Sequence, residues 1–458
     1  MWDESADRYC IIGAGPSGLA AAKNFRERGI PFDCFEREDA IGGVWNATTA
    51  AGIVYETTHL VSSAESTGFE DFPIDLDIHP VYPSHRMVLA YLESYADRFG
   101  LKPHIRLGAG IRRAVPDRGG WRVEVDGEAQ PRRYRGLIVA NGHHDEPRMP
   151  SVPGTFAGRV KHSRDYKSPR QLAGKRVLVV GAGNSGCDIV RDAAPVSVRI
   201  ALSVRRGYWF LPKFYLGFPT HDVAEFIEWI PLPRAVRRRI YEWSHLILQG
   251  PNERYGLKSP EHRLDAAHPT MSDEIPRLVA HGRLAVHPSI LRFEGQDVVF
   301  TDGSREPFDL VIFATGYKAR IPFLDESIVF DDHGRTRMFQ NVVHPERNDL
   351  FTIGLVQANG SMWRIADDQA KLVTRLIEAR RYAPAGVSWF EAARSTADAA
   401  PKGDFVASER HLFEKNYFDY RRDLKKLIRG LDGHLAKAGF VPSPLALHGE
   451  ADEARRAA

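Results

Sequence analysis

The feature that most constrains this chain is a glycine turn that it contains twice. Gly13-Ala14-Gly15-Pro16-Ser17-Gly18 and Gly181-Ala182-Gly183-Asn184-Ser185-Gly186 share one spacing. Each follows a short apolar run, residues 8–12 and 176–180, and opens a stretch of helical periodicity, residues 19–28 and 187–194. A second apolar run follows in both, residues 31–35 and 198–204. Strand, glycine turn, helix, strand is the unit that binds dinucleotides. The first glycine makes the tight turn and the second lets backbone approach a pyrophosphate. The third lets helix and strand pack closely, with the phosphates at the positive end of the helix. The repeat therefore predicts an α/β fold class with two Rossmann-like dinucleotide-binding domains.

Two other segments place the joints between them. Ala140-Asn141-Gly142-His143, with prolines at 147, 150 and 153, follows the apolar residues 136–139. Phe313-Ala314-Thr315-Gly316-Tyr317 follows the apolar residues 310–312. The simplest chain path inserts the second domain into the first. The expected first domain is residues 1–165 and 313–435, and the second is 166–312, with an insert at about 210–265. Residues 436–458, rich in Ala, Gly and charge, read as a loosely held tail.

The two turns differ in the residues that follow them. Glu36 lies 18 residues past Gly18, at the end of the next strand, with Arg37 beside it. A carboxylate there accepts hydrogen bonds from both ribose hydroxyls. The same offset from Gly186 reaches Val204, flanked by Ser203, Arg205 and Arg206. A guanidinium there suits the 2′-phosphate of NADP, which a carboxylate would repel. Gly43-Val44-Trp45, shortly after Glu36, offers a small backbone and an aromatic ring to a flat ring system.

The bulk numbers exclude several other classes. A net charge of +3 over 458 residues gives no basis for nucleic-acid binding. Cys10, Cys34 and Cys187 are the only cysteines, and none forms a C-x-x-C pair, so neither a disulfide framework nor a redox dithiol is expected. The first residues are acidic where a secretion signal would be basic, and no apolar run is long enough for a transmembrane span. A cytoplasmic location with no metal site is the expectation.

At this point the chain resembles the flavin-containing monooxygenases. Residues 156–167 read Phe-Ala-Gly-Arg-Val-Lys-His-Ser-Arg-Asp-Tyr-Lys. Phe156, Gly158, His162, Tyr166 and Lys167 fill every fixed position of the family signature F-x-G-x-x-x-H-x-x-x-Y-K. That signature stands just before the second glycine turn, as it does in the family. Gly43-Val44-Trp45, residues 203–207, residues 313–317, and Gly354-Leu355-Val356-Gln357 with Gln369 beyond also match. The resemblance implies FAD on the first domain and NADP on the second, with Thr315, Gly316 and Gln357 among the cofactor contacts. It implies that NADPH reduces FAD and that O2 then forms a C4a-hydroperoxyflavin. The terminal oxygen passes to a soft nucleophile, an amine nitrogen or a sulfur.

One departure bears on the oxygen step. Family members commonly carry an Asn ahead of the D-F-P that is Asp71-Phe72-Pro73 here, and that position falls on Val61. Valine donates no hydrogen bond. Ser62 and Ser63 are the candidate replacements, and His59 is a weaker one. Two readings therefore stand beside N- or S-oxygenation. One is Baeyer–Villiger oxygenation of a ketone, against which the Tyr166-Lys167 ending speaks. The other is a regulatory flavoprotein that binds NADPH without transferring oxygen. The partners expected are a small-molecule substrate and O2, with a homo-oligomer left open. Residues 225–248 carry Arg234, Arg237, Arg238 and Arg239 among apolar residues. Their alternatives are an interfacial membrane helix or a cover over the substrate entrance or a subunit contact. Pro231 and Pro233 favour the cover.

The purified protein should be yellow and release FAD on denaturation, as read by chromatography of the supernatant. Gly15→Val should abolish that binding, because its methyl groups occupy the space of the pyrophosphate. Release of FMN alone would overturn the assignment of Glu36 to an adenosine ribose.

Overall fold

The computed structural model describes residues 7–264, 270–398 and 413–441. The acidic residues 1–6, position 265 of the expected insert and residues 442–458 of the expected tail lie outside the described residues. Two five-stranded parallel sheets organise the chain. The first runs Leu350–Thr352, Gly136–Val139, Tyr9–Ile12, Phe32–Phe35, Ile105–Arg106. The second runs Arg159–His162, Leu310–Phe313, Arg176–Val180, Arg199–Ser203, Ala285–His287. The first sheet thus takes strands from both ends of the chain, and the second takes its strands from the middle. Arg159–His162 already belongs to the second sheet, ahead of the expected boundary at 166, so the signature begins inside that sheet.

The central strands read as unbroken apolar runs because both faces of each sheet are covered. Along Tyr9–Ile12 the side chains alternate between two cores. Tyr9 and Ile11 pack with the helices Pro16–Glu27 and Met362–Tyr382. Cys10 and Ile12 pack against Trp121, Val123, Val125 and Tyr134 of a three-stranded antiparallel sheet. The second sheet repeats the arrangement. Val177 and Val179 face the helix Asn184–Ala193, and Leu178 faces Phe293, Val298, Phe300 and Phe308 of another antiparallel sheet. The helix Tyr417–Lys437 packs on Met362–Tyr382, so the expected tail start at 436 falls on its last turn.

The insert is not one continuous interfacial helix. A short hairpin, Phe214–Tyr215 with Phe218–Pro219, leads into Thr220–Trp229, and a second helix, Arg234–Leu248, follows. Pro231 and Pro233 separate the two helices, as proline's missing N–H requires. The insert rests on the first domain, where Tyr82 donates to the Lys213 carbonyl at 2.5 Å and Ser63 donates to Asp222 Oδ1 at 2.6 Å. Its outer face leaves Trp229 and Trp243 exposed. Among the described residues no helix is long and apolar enough to cross a membrane.

A buried ion cluster ties the first dinucleotide helix to the C-terminal part of the chain. Lys23 is 1% exposed, lies 2.9 Å from Asp367 and 3.7 Å from Glu27, and pairs with Asp71. Burial alone would lower its pKa, but the carboxylates outweigh that and raise it. Asn24 donates to the same Asp367 at 2.7 Å. Lys23→Met should cost about 3 kcal/mol, because it leaves Asp367 buried with only Lys371 as a counter-charge. The measurement is urea denaturation at neutral pH. A variant within about 0.5 kcal/mol of the parent would show that the cluster adds no stability.

Candidate cofactor and active site

The two glycine turns have the same geometry. Gly13 has φ +106° and Gly181 φ +104°, values that a Cβ strains. A Cβ on either would also lie 2.6 or 2.7 Å from a carbonyl oxygen, that of Ala140 or of Ala314. A Cβ on Gly18 or Gly186 would be driven into the Gly13 or Gly181 carbonyl. Each turn thus passes beneath the first residue after a neighbouring strand, and each helix closes on its own turn. The helices Pro16–Glu27 and Asn184–Ala193 begin without a side-chain cap, at Gly15 and Gly183. Their first N–H groups are therefore left without a side-chain partner at the C-terminal edge of each sheet, the arrangement that receives phosphate.

The first site is built from three parts of the chain. The only atoms within 4 Å of a Cβ on Gly15 would be the Gly43 backbone, so two glycine backbones face each other across a narrow gap. Gly43-Val44-Trp45 forms a 3-10 turn, and Trp45 sits edge-on to Trp363 at 6.1 Å. Pro16 occupies the first helical turn, where its missing N–H costs nothing. A Cβ on Gly354 would collide with the Ser17 hydroxyl, which brings the C-terminal part of the chain against this turn. Glu36 is buried and accepts from the Ala14 N–H at 2.6 Å and the Glu38 N–H at 3.0 Å. Each carboxylate oxygen keeps a lone pair for a ribose hydroxyl. Arg37 turns away from Glu36 into a two-pronged pair with Asp145, at 3.0 and 3.2 Å. Hydrogen bonds from Arg37 hold the Asp145 carboxyl below its usual range.

At the second site Asn184 accepts from the Met271 N–H at 3.0 Å, and Ser185 is exposed on the first helical turn. Arg205 is exposed just past the strand end, and the Arg206 guanidinium lies over the Tyr208 ring at 5.8 Å. Ser203 is buried and donates its hydroxyl proton to the Pro288 carbonyl at 2.7 Å. That leaves the arginines, not Ser203, as donors at this strand end.

The joints bring three histidines around Tyr317. His143 and His144 are 4.2 Å apart, and His144 and His162 lie 5.3 and 5.1 Å from the Tyr317 ring. His162 Nδ1 accepts from the Arg164 N–H at 3.1 Å, so Nε2 carries the proton and donates to the Gly316 carbonyl at 3.1 Å. His162 is thereby held neutral, and burial pushes its pKa down, as it does for His143 and His144. Thr315 donates to the Arg148 carbonyl at 2.5 Å. Gln357 joins the Glu414–Lys415 strand through its backbone, and His143 Nδ1 meets the Gly354 carbonyl at 3.1 Å. Gln369 accepts from the Gly354 N–H at 2.7 Å.

The loop that carries Val61 uses its hydroxyls internally. Ser62 pairs with the Thr67 hydroxyl at 2.7 Å. Ser63 caps the short helix Ala64–Thr67 and gives its proton to Asp222. Both serines are buried, and His59 is exposed with Nδ1 on the Thr57 carbonyl. Ser62 and Ser63, the donors expected toward a ligand, both take part in hydrogen bonds that shape the loop. Tyr55, Thr57, Asp188 and Asp192 were not expected here, yet they join the two domains beside the turns. The only sequence signal for them is the four-residue spacing of Asp188 and Asp192 on one helix face.

Comparison with known proteins follows this geometry. Residues 6–437 match the family model described as flavin-binding monooxygenase-like. Human flavin-containing monooxygenase 5 is 33% identical over 465 aligned residues, covering 96% of this chain and 86% of that protein. Among solved structures, S-allyl-L-cysteine S-oxygenase from Allium sativum aligns with TM-score 0.62 at 19% identity, covering 98% of this chain and 97% of that one. Cyclohexanone monooxygenase with bound cyclohexanone aligns with TM-score 0.65 at 20% identity, covering 93% and 98%. These structural likenesses establish the fold.

Because the folded state disfavours the imidazolium of His143, His144 and His162, the unfolded chain takes up protons first as the pH falls below 6.5, the ordinary histidine value. Stability should therefore be full above that pH and decline below it. Thermal melts between about pH 7.5 and 5.5 would read the decline, and His144→Phe should flatten it by removing one titrating group. An identical slope in that variant would exclude His144 as a contributor.

Proposed function

The chain belongs to the flavin-binding monooxygenase-like family, and from that premise we propose that it uses FAD and NADPH to insert one atom of O2 into an amine nitrogen or a sulfur of a small molecule in the cytoplasm. The observation that carries the reading is the asymmetry between two otherwise matching turns. A buried carboxylate, Glu36, stands at the first, and Arg205 and Arg206 stand at the same offset from the second. One suits a bare ribose and the other a ribose 2′-phosphate. FAD, when bound, supplies the redox chemistry that passes electrons from NADPH to O2.

The chain's own residues hold and enclose the reactants. Gly15 and Gly43 bring two bare backbones close together, so no side chain blocks a pyrophosphate beside the turn, and the uncapped N–H groups after Gly15 and Gly183 suit its charge. Trp45 walls the first site beside Trp363. His162 holds Gly316 at the C-terminal edge of the second sheet, and Thr315 ties that edge to Arg148 in the crossing from the first domain. The insert meets the loop with Val61 through Asp222 on Ser63, on the side where a reactive oxygen species would need water excluded. No charged group in the Val61–Ser63 stretch has to act as acid or base.

The test is to screen amines, thiols, sulfides and ketones while following NADPH consumption and oxygenated product together. An N-oxide or sulfur oxide is expected. Oxygenation of ketones alone, or NADPH consumption with no product from any class, would overturn the reading. Arg205→Ala should weaken NADPH by roughly ten- to hundred-fold, about 1.5–3 kcal/mol, and leave NADH little changed. Equal loss with both nucleotides would remove Arg205 from the 2′-phosphate.

A further inference from the structure

We propose that Tyr55 and Thr57 are positioning residues that fasten the second dinucleotide helix to the first domain through Asp188 and Asp192, with Tyr166 bracing Asp192 and Tyr55 from the second domain, and so set where the nicotinamide meets the flavin. The proposal rests on the two-cofactor reading above. Asp188 and Asp192 stand one turn apart on Asn184–Ala193, the helix that follows the second glycine turn. Tyr55 donates to Asp188 Oδ2 at 2.6 Å. Tyr166 donates to Asp192 Oδ2 at 2.8 Å, and Thr57 donates to that same oxygen. The other oxygen of each carboxylate faces Arg191, at 3.0 Å from Asp188 and 3.4 Å from Asp192. Each aspartate thus bridges its own helix to a hydroxyl of another segment.

These hydroxyls come from two places that converge on one seam. Tyr55 and Thr57 lie on the first-domain stretch that leads directly into the Val61 loop. Tyr166 closes the signature, and its ring packs on Tyr55 with centroids 5.1 Å apart. Lys167 secures the same stretch from its other side, donating to the Gly52 carbonyl at 2.8 Å and accepting from the Glu56 N–H at 2.9 Å. Tyr166 and Asp192 are buried. Hydrogen bonds to a charged acceptor in a dry seam are short, directional and stronger than neutral ones. Apolar packing alone could hold the domains together, but it would not fix the helix in one rotation. A transfer between two bound rings depends on such placement, and an error of about 1 Å can cost on the order of a hundred-fold in rate.

The test uses the FAD-loaded protein and the variants Tyr166→Phe, Thr57→Val, Asp192→Asn and the pair Tyr166→Phe with Asp192→Asn. Four quantities are read: FAD content, the dissociation constant of NADP+, the anaerobic flavin reduction rate at saturating NADPH, and the long-wavelength charge-transfer absorbance of reduced flavin with NADP+. The expected result is normal FAD content, a dissociation constant within about threefold, reduction slowed roughly tenfold or more, and a weakened charge-transfer band. The pair should be no worse than its more damaging member, because both act through one bond. Tyr55→Phe, which removes a single oxygen, carries the test if the Asp192 variants lose FAD. Wild-type reduction rates and charge-transfer absorbance in Tyr166→Phe and Thr57→Val would overturn the proposal. So would rate losses that only track lost FAD. Failure of the parent protein to bind NADP+ would instead bring down the two-cofactor reading, and the proposal with it.

Discussion

Everything in this molecule that could hold a nucleotide depends on the closure of a helix onto the glycine turn before it. At Gly18 and again at Gly186 there is no room for a single carbon between helix and turn. That closeness seats the first helical N–H groups over the C-terminal edge of the sheet, where no side chain caps them. The positive end of each helix is thus offered to a ligand and not satisfied by the protein. The strands beneath must be buried on both faces to hold such a turn rigid, which is why residues 10–12 and 177–180 are apolar.

Around this constraint the chain returns repeatedly to its own beginning. Leu350–Thr352 completes the first sheet, Gly354 presses on Ser17, and Asp367 meets Lys23 on the first dinucleotide helix. The first site is therefore complete only when segments some three hundred residues apart have met. The second sheet is self-contained by contrast, with all its strands between Arg159 and Phe313. Its freedom relative to the first is restricted by directional contacts: His144 against Tyr317, and the hydroxyls of Tyr55 and Thr57 on Asp188 and Asp192. The signature segment supplies residues to both, with His162 at the first and Tyr166 at the second. Its regularity follows from lying along the joint.

The insert shows how a cover is made from residues that periodicity describes poorly. Its helices are short, broken by prolines, and leave large aromatic residues in solvent. What locates it is polar: the Lys213 carbonyl on Tyr82 and Asp222 on Ser63. Those contacts also occupy the Ser63 proton. Near Val61 the chain lacks a side-chain donor at one position, and Ser62 and Ser63 beside it pair with Thr67 and Asp222.

The sequence by itself determined the two dinucleotide units, because their turns require glycine at fixed positions and their strands require apolar residues on both faces. Those are local demands, legible in residues 9–36 and 176–206. It also marked the joints, since Gly316 with φ +80° and the residues at 140–143 interrupt apolar strands where the chain must cross. The antiparallel sheets over each core, the pairing of Lys23 with Asp367, and the uses of Ser62, Ser63 and Ser203 were decided only by tertiary structure. A hydroxyl or an ammonium carries no local sign of its partner. Which acceptor it meets is set by how distant segments pack, as with Tyr55 and Asp188, 133 residues apart. Backbone geometry is written in neighbouring residues; the assignment of hydrogen-bond partners belongs to the folded whole.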